Sequence, residues 1–145
     1  MDRRAWAVAV VVTLLLGTVV GVVVYGELFA RTDRDVLARR LCAGHRCSSY
    51  DGWGWSHLLL YTAFGLAMPG HYLAFGALGV AWETWEYAMS ATRCTRWDVM
   101  GRCQPGELPG EWWYAKASDL VFNMVGYTLG SVGGHALRGE PLSPF

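Results

Sequence analysis

The sequence predicts an all-α, polytopic membrane protein with four transmembrane helices. Charge segregation is the first reason: charged side chains are absent from residues 5–26, 56–81 and 120–136, and they collect in the two segments between. Composition is the second, with eight Trp and 18 Gly in 145 residues. Trp favours membrane interfaces, and Gly lets helices approach closely within the bilayer. The hydrophobic fraction of 53% is only modestly above a soluble average, so distribution carries more than the mean. A formal net charge of zero offers no basic balance for nucleic acid.

The chain is expected to form one membrane domain over 1–145, with spans at about 5–27, 53–68, 71–90 and 117–135. Four spans place both termini on one side and the polar segments 31–52 and 91–116 on the other. After a short basic lead, residues 5–27 form an apolar run longer than a signal-peptide core, which is read as a retained spanning helix. Trp6 and Tyr25 fall at its two interfaces, and no functional content is expected of it.

In the first polar segment, Thr32 and Asp35 resemble a capping box. Val36, Leu37 and Leu41 then alternate with Arg34, Arg39 and Arg40 as in a short amphipathic surface helix. The second span opens at Trp53 and ends at the Pro69-Gly70 turn, which separates it from a third. Within it His57 and Tyr61 lie four residues apart on one face. Trp112, Trp113 and Tyr114 form an aromatic belt before the last span. Asp119, Asn123, Gly126 and Gly130 recur there at helical spacing, and Gly126 and Gly130 make a small-xxx-small packing pair.

The third span carries the anomaly. Glu83 and Glu86 sit three residues apart near its end, in the run WETWEYAM from Trp82 to Met89. An ionisable group inside a spanning helix costs roughly 2.5–3.5 kcal/mol on insertion scales, so such a pair needs partners. By depth, at about 1.5 Å per residue, His57, Glu83, Glu86, Asp119 and Asn123 converge in one layer on the cysteine-bearing side. His71 and His135 fall at the opposite interface. Three readings of the layer stay open: a hydrogen-bond network that fixes the bundle, with Asp119 or Ser118 capping the last helix; a pocket for a lipid headgroup or similar small ligand; and a metal-dependent site that hydrolyses lipid. One His with several carboxylates defines no particular metal, and no cofactor or resident metal is expected. Whether the chain is an enzyme stays open, with binding favoured over catalysis. Membrane lipids and protein partners in a larger membrane assembly, to which the chain would be a structural or accessory subunit, are the expected partners.

The four cysteines, Cys42, Cys47, Cys94 and Cys103, divide between the two polar segments. They allow three pairings, among which sequence does not choose. Spacings of five and nine are wide for structural zinc, so disulfides are the preferred reading in an oxidising compartment.

Taken together, H-x-x-x-Y at His57 and Tyr61, E-x-x-E at Glu83 and Glu86, and D-x-x-x-N-x-x-G-x-x-x-G from Asp119 to Gly130 resemble the VanZ-like small membrane proteins. The resemblance covers Ser56 to Gly134 and leaves the first helix and both polar segments unmatched. It implies the helical membrane architecture, with His57, Glu83, Glu86, Asp119 and Asn123 as a shared polar core. The family's namesake is associated with low-level glycopeptide resistance, and most relatives have no assigned chemistry. The positive-inside rule reads the cysteine-bearing segments as cytoplasmic, because they hold nine of the 12 Lys and Arg. The paired cysteines and the resemblance favour the extracytoplasmic or lumenal side, which is the expectation adopted.

Overall fold

The computed structural model describes residues 2–26, 28, 36–37, 51–91, 96–97, 103–104 and 116–139. Helices carry the fold: α1 (Arg3–Tyr25), α2 (Gly52–Ala67), α3 (Tyr72–Ala91) and α4 (Ala117–Arg138). Between α3 and α4, β1 (Arg96–Trp97) pairs antiparallel with β2 (Cys103–Gln104). Several helix boundaries have a local cause. The Asp2 carboxylate accepts from Arg4 N at 3.2 Å, and the Asp51 carboxylate accepts from Gly54 N at 3.1 Å. Both bonds satisfy amides that the first turn leaves without partners. α2 stops ahead of Pro69, and Gly70, at φ 83°, turns the chain back into α3. Gly139, at φ 63°, closes α4 with its N–H on Ala136 O.

α2 and α4 form the tightest seam, and small residues permit it. A Cβ at Gly126 would strike the Leu58 carbonyl, one at Gly130 the Thr62 carbonyl, and one at Gly65 the backbone of Tyr127. The packing role expected of Gly126 and Gly130 is therefore realised as backbone-to-backbone contact. Beside the seam, Phe64 stacks on Phe75 at 5.1 Å, Phe75 stacks on Tyr127 at 4.9 Å, and Tyr61 meets Phe64 edge-on at 5.4 Å. Tyr127 then ties the turn: its hydroxyl donates to Met68 O at 2.6 Å and accepts from His71 N at 2.7 Å. Arg138 donates to the Leu66 and Ala67 carbonyls at 3.1 and 2.7 Å, closing the C-terminal end of α2.

The interior mixes polar groups with the aromatic core, and many large apolar side chains face outward. Buried positions include Asp51, Glu83, Asp119, Asn123, Ser131 and His135, whereas Leu73, Leu129, Val121, Leu59 and Trp85 face outward. Thr62, Thr84 and Thr128 return their hydroxyls to carbonyls one turn back, at 2.7–2.8 Å. Among the described residues one helix, α1, is long and apolar enough to cross a membrane. α2 has only 16 residues, while α3 and α4 carry the buried carboxylates. Length and composition alone therefore single out α1 of the four expected spans.

Several expectations lie outside the described residues. These are the amphipathic helix of the first polar segment apart from Val36 and Leu37, the aromatic belt at Trp112, Trp113 and Tyr114, and Cys42, Cys47 and Cys94. Cys103 is described only through its backbone in β2.

Candidate functional site: a buried carboxylate–histidine cluster beside an apolar cleft

Three helices deliver the cluster. His57 comes from the second turn of α2, Glu83 from the later half of α3, and Asp119 and Asn123 from the first two turns of α4. One ligating atom each from His57, Glu83 and Asp119 lies within 4.8 Å of the others. His57 Nδ1 is 2.9 Å from Asn123 Oδ1. In the tautomer that donates Nδ1–H to this carbonyl oxygen, Nε2 carries the lone pair. The α2–α4 seam is what brings this pair together, since Gly126, one turn beyond Asn123, lies against the backbone of Leu58.

Glu83 is held by its Oε2, which accepts from the backbone N–H of Lys116 at 3.0 Å. The same lysine pairs through Nζ with Asp51, the residue that caps α2. One residue thus links the entrances of α2 and α4 to the buried end of α3. Asp119 lies in the first turn of α4, where the helix dipole favours a carboxylate. It is not the cap, nor is Ser118: Lys116 occupies that position without a side-chain bond.

Satisfaction is incomplete at the centre. Glu83 Oε1, Asp119 Oδ1 and Asn123 Nδ2 are buried with no hydrogen-bond partner among the described residues. Leaving one such group unpaired costs on the order of 1–3 kcal/mol, more when it is charged. Gly79 of α3 supplies the room around Asn123: a Cβ there would sit 3.0 Å from Asn123 Nδ2 and 3.1 Å from the Tyr61 hydroxyl. Tyr61 therefore belongs to the same neighbourhood.

Glu86 takes a different position from Glu83. Its Oε1 accepts from the indole N–H of Trp82, one turn back, at 2.9 Å, and it faces a cleft between α1, α2 and α3. The cleft has a volume of about 430 Å³, and its wall is almost wholly apolar. His57, Tyr61 and Glu86 are among its polar lining residues, with Thr18, Tyr25 and Ser56, while Leu15, Val19 and Val22 supply the α1 wall. α1 thus forms one wall of the cleft. Tyr25 anchors that helix at the same end, accepting from Val36 N and Leu37 N at 3.0 and 3.2 Å and meeting Trp53 edge-on at 5.4 Å.

The expected convergence is thus realised for His57, Glu83, Asp119 and Asn123, with Tyr61 and Glu86 on the flank that opens to the cleft. His71 and His135 lie at the other end, by the Pro69-Gly70 turn, as the depth reading placed them. Sequence reasoning passed over Asp51, Lys116, Gly79 and the α1 wall. An Asp immediately before an apolar helix is a capping signal that could have found Asp51. Against known proteins, the chain matches no family model, no curated protein and no solved structure.

Proposed function

We propose that the chain is a four-span integral membrane protein of the VanZ-like type that binds a membrane amphiphile. Its apolar tail would occupy the cleft between α1, α2 and α3, and its polar head would reach His57, Tyr61 and Glu86. The observation that carries this reading is the cleft itself: about 430 Å³ of mostly apolar space that has His57, Tyr61 and Glu86 in its lining and shares His57 with a buried carboxylate cluster. That volume falls within the roughly 300–1,000 Å³ of small-ligand sites. The Glu86 carboxylate is an acceptor, so it suits a head rich in hydroxyl or ammonium donors. Membrane embedding of all four helices is supported by the outward Leu, Val and Trp side chains on α2, α3 and α4 and by the buried polar groups. The cysteine-bearing segments, and with them the Glu86 end of the cleft, would then face the extracytoplasmic or lumenal side.

The test is lipid retention. Protein extracted in mild detergent is examined by native mass spectrometry, wild type beside Leu60→Trp, in which an indole fills the cleft from α2. The wild type should carry one amphiphile per chain and the variant at least tenfold less, with both eluting as folded monodisperse species. Equal occupancy in the two would refute the cleft as the binding site.

A further inference from the structure

We infer that His57, Glu83 and Asp119 form a binding site for a divalent transition-metal ion, with Asn123 as the positioning residue for His57. The inference does not depend on the amphiphile, because the three side chains meet on the inner flank of the cluster and the cleft touches only His57 among them.

Donor chemistry is the first argument. A neutral imidazole and two carboxylates are ligands shared by Zn²⁺, Mn²⁺ and Fe²⁺, and three protein ligands leave positions open for water or ligand. The unused valences are the second argument, and they point to the same place. Glu83 and Asp119 are 7% and 2% exposed, yet Oε1 of one and Oδ1 of the other have no hydrogen-bond partner among the described residues. A cation between them would satisfy both atoms at once. Charge is the third. A dication with two carboxylates and a neutral His sums to zero, the arrangement a low-dielectric interior tolerates best.

Geometry asks for a modest contraction. Three donors of one tetrahedral ion at about 2.0–2.2 Å stand about 3.3–3.6 Å apart, so the 4.8 Å envelope must close by up to about 1.5 Å, within reach of side-chain rotation. Asn123 completes the pattern of a metal-bound histidine: in the tautomer that donates Nδ1–H to its Oδ1, Nε2 is the nitrogen that takes the ion.

The experiment uses the full chain in detergent, stripped with EDTA and titrated calorimetrically with Zn²⁺ and separately with Mn²⁺, with elemental analysis of the dialysed product. One ion per chain is expected, together with a rise in melting temperature on loading. Glu83→Gln and Asp119→Asn should each abolish binding, and Glu86→Gln, outside the ligand set, should retain it. Asn123→Ala should weaken binding roughly 10- to 100-fold, and Asn123→Asp, which can still accept from Nδ1–H, should restore most of it. Less than a tenth of an ion on the wild type, or unaltered affinity in a folded Glu83→Gln protein, would overturn the site. If Glu83→Gln does not fold, the wild type decides alone, since a melting temperature indifferent to both ions rejects the proposal. Amphiphile retention by the stripped protein is scored separately, so the two readings fail independently.

Discussion

The two sides of α2 are built on opposite plans. Toward α4 it presents Leu58, Thr62 and Gly65 to a surface of glycines, and the backbones meet with no side chain between them. Toward α1 it presents Trp53, Leu60 and Phe64 to open apolar space of about 430 Å³. The closed side holds the His57–Asn123 contact in place, and the open side leaves the same histidine accessible. Rigidity and access are therefore divided between the two faces of one helix, with the polar cluster where they meet.

The division is broken most severely at the seam. Gly126→Val would drive a branched side chain into the Leu58 carbonyl, and backbone has no rotamer by which to yield. Overpacking of this kind costs about 1–3 kcal/mol in a side-chain core, and against backbone the upper end is expected. A large fall in melting temperature with loss of metal and amphiphile binding together would show that α2 and α4 set the cluster. A stable Gly126→Val protein with intact binding would mean that the seam does not position it.

Asp51→Ala acts next, at the entrance of the same helix pair. Asp51 is 3% exposed, caps α2 through Gly54 N and pairs with Lys116, whose backbone N–H holds Glu83. Losing a cap costs typically about 1 kcal/mol, and loss of the Asp51–Lys116 ion pair adds to it. About 2 kcal/mol of destabilisation is expected in denaturant unfolding. Asp51→Asn should recover roughly half, because the amide oxygen can still cap while the charge is gone. Equal effects of the two substitutions would assign the whole contribution to the ion pair.

The seam was more legible in the sequence than the cleft, and the reason is physical. Gly126 and Gly130 lie one turn apart on one helix, so periodicity alone puts them on a packing face with Asp119 and Asn123. Depth arithmetic then brought His57 and Glu83 to the same layer, because a spanning helix has a fixed rise and a shared boundary. A cleft is a gap between helices, and no periodicity records where side chains fail to meet. α1 has a uniformly apolar sequence, which marks no preferred face, so its part in the wall was invisible. Glu83 and Glu86 looked equivalent by spacing. Only packing separates them, turning Glu83 toward Lys116 and Glu86 toward Trp82 and the cleft.

The smallest effect is expected on the open side. Leu15 of α1 is half-buried and lines the cleft, so Leu15→Ala enlarges a space that already exists instead of creating a closed void. A buried Leu→Ala elsewhere costs about 2–5 kcal/mol, much of it from the cavity left behind. Here that part is largely absent, and about 1 kcal/mol or less should be lost in thermal unfolding. The expected signature is a change in ligand selection: a wider cleft should shift the amphiphiles retained in native mass spectra toward bulkier tails, while metal affinity stays within about twofold of wild type. A loss of stability as large as that of Gly126→Val would mean that α1 is packed as tightly as α4, and the contrast between the two faces of α2 would be gone.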